Sequence, residues 1–270
     1  MTESGMIRAG IGGWTFAPWR GTFYPDDLRQ KDELNYASRQ LETIEINGTY
    51  YGSQKPATFA KWAADVPDGF VFSVKGNRFV TNRKVLSEGA ESLERFLGSG
   101  VTELGDHLGP FLWQFAPTKK FDPDDFGAFL EMLPSSRDGI ALKHAVEVRH
   151  ESFGTPEFIA LAARHGIAIV YADHHKYPEI ADVTAPFVYA RLQKGQDDIP
   201  TAYTAQDLDQ WARRASLWAQ GLVPDDLPYA DANRPVEQQS RDVYVYFIHE
   251  GKVRAPQAAM AMQERCGTAL

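Results

Sequence analysis

Eight short apolar runs, rich in β-branched and aromatic residues, punctuate the chain: Ile7–Gly12, Thr43–Asn47, Phe70–Lys75, Phe111–Phe115, Ala145–Arg149, Ala168–Asp173, Phe187–Leu192 and Val243–Ile248. Between them, apolar residues recur at helical spacing near Glu33–Gln40, Pro56–Asp65, Ala90–Leu104, Pro123–Leu133, Pro156–His165, Ala205–Gln220 and Ala255–Arg265. Only the step from the sixth run to the seventh lacks a long helical pattern. The runs are continuous rather than half-solvated alternations, as expected of parallel strands covered by helices. Local punctuation agrees. Thr155-Pro156 and Ser53 to Pro56 place proline near a first helical turn, Thr204 is placed to cap the helix from Ala205, and Gly166 follows the fifth pattern as a C′ residue. Strand and helix alternating eight times predict a TIM-barrel-like (β/α)8 fold, one α/β domain over residues 7–266. An open doubly wound sheet is the rival, but Gly10-Ile11-Gly12-Gly13-Trp14 is a poor version of its phosphate-binding turn. The irregular stretch Leu222–Arg241 reads as a surface loop at the barrel face away from the usual active site.

A barrel makes a specific demand on the ends of its strands, because ligands meet such folds at the C-terminal mouth. Those ends are polar here. The stretch HAVEVRHESF at 144–153 puts Glu147 and Arg149 on the face of Ala145, followed by His150. Other runs end at or near Trp14, at Glu45 and Asn47 with Tyr51 beyond, at Lys75 with Arg78 beyond, and at Gln114, Asp173 and Arg191. Lys75, Arg78, Arg149 and Arg191 suit an anion clamp, since guanidinium groups grip carboxylate or phosphate with two donors. Glu45, Glu147, Asp173 and His150 are the candidates for proton transfer, because carboxylates beside cations acquire different proton affinities. Trp14, Asn47, Tyr51 and Gln114 would complete the ligand-binding wall. Glu45 and Glu147 are equally able to serve as structural partners of the cations.

Composition narrows the partners. A formal net charge of -8 argues against gripping a nucleic-acid backbone unless a basic stripe crosses the mouth. The single cysteine, Cys266, excludes an internal disulfide framework and a cysteine metal cluster. No apolar run reaches membrane-spanning length and no signal-peptide pattern opens the chain, so the expectation is a cytoplasmic protein with no membrane partner. Histidines and carboxylates near the mouth are ligand types, yet no H-E-x-x-H spacing organises them. The reading therefore assigns no metal and no cofactor.

The segments GIGGW (10–14), WRGTFYP (19–25), EINGTYY (45–51), FSVKGNR (72–78), FLWQFAP (111–117), EVRHESF (147–153), FVYAR (187–191) and DVYVYF (242–247) resemble the DUF72, or YecE-like, family. That resemblance implies a TIM-barrel-like fold and supplies no reaction. It also implies that Trp14, Glu45, Asn47, Tyr51, Lys75, Arg78, Gln114, Glu147, Arg149, His150, Asp173 and Arg191 fill positions typical of the family. Gly12, Asn82, Gln193 and Ile248 depart from its pattern, with Asn82 and Gln193 standing where histidines are usual. Three functions stay open: acid–base chemistry on a small anionic substrate, a ligand-binding barrel without turnover, and nucleic-acid processing.

Overall fold

A computed structural model describes residues 4–267. Its strands are β1 (Ile7–Gly12), β2 (Thr43–Ile46), β3 (Val71–Lys75), β4 (Leu108–Gln114), the two-residue strands β5 (Ser136–Arg137) and β6 (Ile140–Ala141), then β7 (His144–Glu147), β8 (Ala168–Ile169), β9 (Tyr171–Asp173), β10 (Phe187–Lys194) and β11 (Asp242–Glu250). The α-helices are α1 (Glu33–Ala37), α2 (Pro56–Asp65), α3 (Arg78–Thr81), α4 (Ala90–Leu97), α5 (Pro123–Met132), α6 (Pro156–Arg164), α7 (Ala205–Ala219) and α8 (Ala255–Cys266). Strands β5 and β6 form a small antiparallel hairpin apart from the main sheet.

The main sheet is parallel, in the order β8-β7-β4-β3-β2-β1-β11-β10-β9. Its two end strands are separated in sequence by Val170 alone, so the sheet curls into a nearly closed barrel of TIM type. The expected count of eight strands is corrected to nine. The sixth run divides because its first half pairs with β7 and its second with β10, through Ala145↔Ala168 and Ala190↔Tyr171. Val170 bridges the division, donating its amide to the Val146 carbonyl at 2.9 Å.

The two-residue side-chain period sorts the apolar residues into two cores. Val71, Leu112, Ala145, Val170, Tyr189, Tyr244 and Tyr246 cluster inside the barrel. Ile44, Phe72, Val74, Trp113, Tyr171 and Leu192 belong to the larger core packed against the helices. Gly10 lets β1 and β2 approach closely, since a Cβ there would sit 1.9 Å from the Thr43 carbonyl oxygen.

Helix ends follow their capping chemistry. Thr155 accepts a hydrogen bond from the Phe158 amide, and Thr204 forms a reciprocal capping box with Asp207 at the start of α7. Gly166 takes the left-handed conformation after α6 (φ +63°). The helix expected over Ala90–Leu104 stops at Leu97, where Gly98 and left-handed Gly100 (φ +93°) end it, and a short 3-10 segment continues from Val101. The helix expected over Glu33–Gln40 is only Glu33–Ala37. The irregular stretch before β11 is tied down by Asp182, whose carboxylate accepts from the amides of Ala230 and Asp231. Among the described residues no helix is long and apolar enough to cross a membrane.

Candidate functional site

Alternation along each strand decides which charges enter the barrel. On β3 the lumen side carries Val71, Ser73 and Lys75; on β7 and just beyond it, Ala145, Glu147 and Arg149; on β10, Tyr189, Arg191 and Gln193. Of these, Lys75, Glu147, Arg149, Tyr189 and Arg191 meet Glu45 from β2 and Gln114 from β4 in one hydrogen-bonded layer below the mouth. Arg191 grips Glu45 with two donors, Nε and Nη2, each at 3.0 Å, and gives Nη1 to Glu147 in a very short contact. Arg149 commits Nε (2.7 Å) and Nη2 (2.6 Å) to the Oε1 oxygen of Glu147. Gln114 donates to the same oxygen at 2.9 Å and accepts from Lys75 Nζ at 2.8 Å. Tyr189 donates to Glu45 at 2.7 Å.

Both carboxylates have no solvent exposure. A buried carboxylate survives as an anion only when cations compensate its lost hydration. Burial by itself would push the Glu147 carboxyl up, but Arg191 and Arg149 outweigh it and hold the group down to about 2. Lys75 feels the opposite balance. Burial, reinforced by the Arg191 charge, lowers its amine to about 8. Lys75 has no carboxylate in salt-bridge contact among the described residues; its Nζ lies 4.4 Å from the centre of the Tyr50 ring.

Above this layer opens a cavity of about 410 Å³. Lys75, Gln114, Arg149 and Arg191 form its charged floor, with Gly12, Asn47 and Tyr51 on the β1–β2 side. Gln193 lines it too, and its Nε2 is buried without a hydrogen-bond partner. The far wall is Phe247, Ile248, His249 and Lys252, with Trp19 behind. Lys252 Nζ rests 4.3 Å from the Phe16 ring centre, and burial lowers its amine. His249 holds a left-handed backbone (φ +71°) and stands 5.3 Å, ring to ring, from His174.

The structure thus gathers eight of the twelve residues singled out in the sequence: Glu45, Asn47, Tyr51, Lys75, Gln114, Glu147, Arg149 and Arg191. It places the other four elsewhere. Trp14 packs edge-on against Trp62 at 5.1 Å. Arg78 is exposed beside Tyr51 and Phe79. His150 caps a short 3-10 turn, its Nδ1 accepting from the Ser152 amide. Asp173 follows lumen-facing Ala172, so it points to the helix layer, paired with Lys194 at 2.7 Å; burial raises its carboxyl despite that partner. Trp19 and Lys252 were not singled out because both lie in loops beyond the strand ends. Gln193 and His249 do end strands, and that position was the available signal. Among the described residues no group of three or more histidine, cysteine or acidic side chains is arranged to hold a metal ion.

These features define a parallel α/β barrel with a cationic, open-mouthed lumen. A family model described as "Protein of unknown function DUF72" matches residues 8–270, and the chain belongs to that family. A DUF72 family protein from Thermotoga maritima MSB8 is 23% identical, with 96% of this chain and 97% of that chain covered and a TM-score of 0.67. Another, from Enterococcus faecalis V583, is 18% identical over 98% of each chain, also with a TM-score of 0.67. A xylose isomerase-like TIM barrel/4-hydroxyphenylpyruvate dioxygenase fusion protein shares the fold at 12% identity and a TM-score of 0.52, over 99% of this chain and 45% of its own. Among curated proteins none matches.

Proposed function

We propose that the barrel mouth binds a small molecule bearing a carboxylate or phosphate, and that the protein is an enzyme moving protons on that molecule. The observation that carries this reading is a surplus of positive charge around one cavity. Lys75, Arg149, Arg191 and Lys252 line it, while only Glu45 and Glu147 lie beneath, both enclosed and paired with arginine. This surplus sits in a chain of net charge -8. The unpartnered donor of Gln193 supports the same reading, because a buried N–H without an acceptor costs about 1–3 kcal/mol that a ligand oxygen would recover.

In this reading Glu45 and Glu147 are positioning residues that hold Arg191 and Arg149. Lys75 is the proton-transferring group, since its amine is lowered to about 8, near neutrality, at the cavity floor. Asp173 and His150, which face away from the cavity, have no step. The enclosure of both carboxylates also favours a second reading, a binding barrel without turnover.

The experiment is a titration with phosphate, phosphosugars and small carboxylates, read by melting temperature and calorimetry. At least one series should raise the melting temperature with concentration. Arg149→Ala should weaken that ligand about tenfold or more, the worth of a hydrogen bond to a charged group. Equal affinity in the variant would remove Arg149 from the site, and no stabilisation by any anion would overturn the reading.

A further inference from the structure

Among the cations of the mouth, Lys75 is built differently from the arginines. Arg191 spends all three guanidinium nitrogens on two carboxylates, and Arg149 spends two on one. Lys75 has no carboxylate in salt-bridge contact among the described residues. One proton of its amine goes to the amide oxygen of Gln114, and the aromatic face of Tyr50 lies beside it. It is 9% exposed, ends β3, and contributes to the wall of the 410 Å³ cavity. Burial and a neighbouring arginine, with a neutral acceptor in place of a carboxylate, shift this amine towards the free base. A guanidinium cannot make that change.

We propose that Lys75 is a nucleophile that forms an imine with a small oxo acid, a molecule carrying an aldehyde or ketone together with a carboxylate. This inference rests on the anion-binding reading of the mouth; it adds the substrate class and the bond made, and puts Lys75 in that bond in place of the proton transfer assigned above. Arg149, through Nη1, and Gln193, through Nε2, are the donors left over for the carboxylate. Gln114 aims the amine. In the step itself the Nζ lone pair attacks the carbonyl carbon and a C–N bond forms. The carbonyl oxygen then leaves as water, carrying both protons of the neutral amine, and C=N replaces C=O. Nothing is oxidised or reduced. Because the amine is lowered to about 8, roughly a tenth of it is free base at pH 7 without any partner to remove the proton. The imine is a reversible electron sink, suited to proton abstraction or carbon–carbon cleavage next to the former carbonyl.

The test uses the whole wild-type chain with pyruvate or glyoxylate, with and without cyanoborohydride, which reduces an imine to a stable secondary amine. Peptide mass spectrometry locates the adduct. The expected result is an adduct concentrated on Lys75 and lost in Lys75→Met, with the oxo acid also raising the melting temperature before reduction. An adduct spread over exposed lysines, as in the urea-unfolded chain, would overturn the proposal. Stabilisation by the oxo acid without trapping would overturn it as well, while leaving the anion site standing. Neither stabilisation nor trapping, with phosphate and simple carboxylates also silent, would remove both. Site mapping on the wild-type chain keeps the proposal testable even if Lys75→Met folds poorly.

Discussion

Two ionic clusters share strand β10 and face opposite ways. Inside the barrel, Glu45 and Glu147 meet Lys75, Arg149 and Arg191. Outside it, on β9 and β10, Lys194 joins Asp173 at 2.7 Å and Glu179 at 2.5 Å, and Tyr171 donates to Glu179. The outer cluster has more carboxylates than lysines and is pressed against the helix layer. The inner one has more cations than carboxylates and an open cavity above. Both contain the residue types expected of a proton-transfer site, so residue type alone cannot tell them apart. Charge balance and access can: the outer lysine is shared between two carboxylates, whereas the inner cluster has one cation more than its carboxylates and borders the open cavity.

The sharpest way to break this contrast is Glu147→Gln. Removing that carboxylate leaves Arg149 and Arg191 facing one another in a buried layer, which should cost about 3–5 kcal/mol of stability by urea unfolding. A loss below about 1 kcal/mol would mean the inner arginines are hydrated and the layer is not structural.

Acid should reveal the same group at a somewhat smaller scale. The native Glu147 carboxyl takes its proton only near pH 2, while the unfolded one does so near its ordinary value of 4.5. As pH falls, the unfolded chain therefore binds this proton first. Stability present above about pH 4.5 should decline as pH drops towards 2, by about 3 kcal/mol in all. His144 acts in a window just above. Buried between the Trp113 N–H and the Pro134 carbonyl, it is lowered to about 4, so its contribution fades as pH falls from 6.5 through 4. Urea midpoints against pH should show both declines, and Glu147→Gln should flatten the lower one alone.

The outer cluster should answer more weakly. Lys194→Met leaves Asp173 and Glu179 without their shared cation, but the lysine is partly solvated, so a loss of about 1–2 kcal/mol is expected. Any anion that stabilises the wild-type chain should bind this variant with unchanged affinity. A tenfold weakening would join the two clusters into one functional unit.

Much of this arrangement was legible in the sequence for a physical reason. Parallel strands ending at one mouth must bring Glu45, Lys75, Gln114, Glu147 and Arg191 together, whatever the details of packing. Parity was harder to read. In HAVEVRHESF the alternation showed Glu147 and Arg149 on one face, but Ala168, Ala172 and Asp173 sit in a run of small and apolar residues that does not reveal which side is the lumen. Asp173 accordingly looked like a mouth residue and lies on the other face. The division at Val170 was hidden for a related reason: it depends on which neighbour each half of the run pairs with, a contact no local pattern encodes. Lys252 and Trp19 arrive from loops, where chain direction is set by tertiary packing.

That division has a mechanical consequence. Only two register pairs hold β8 to β7, whereas seven hold β10 to β11. The hoop is most sparsely paired beside that division, and the strand standing opposite the division in the sheet order is β2, bearer of Glu45. Arg191, bonded to Glu45 on one side and to Glu147 beside the division on the other, ties the sparsely paired side of the ring to the opposite wall.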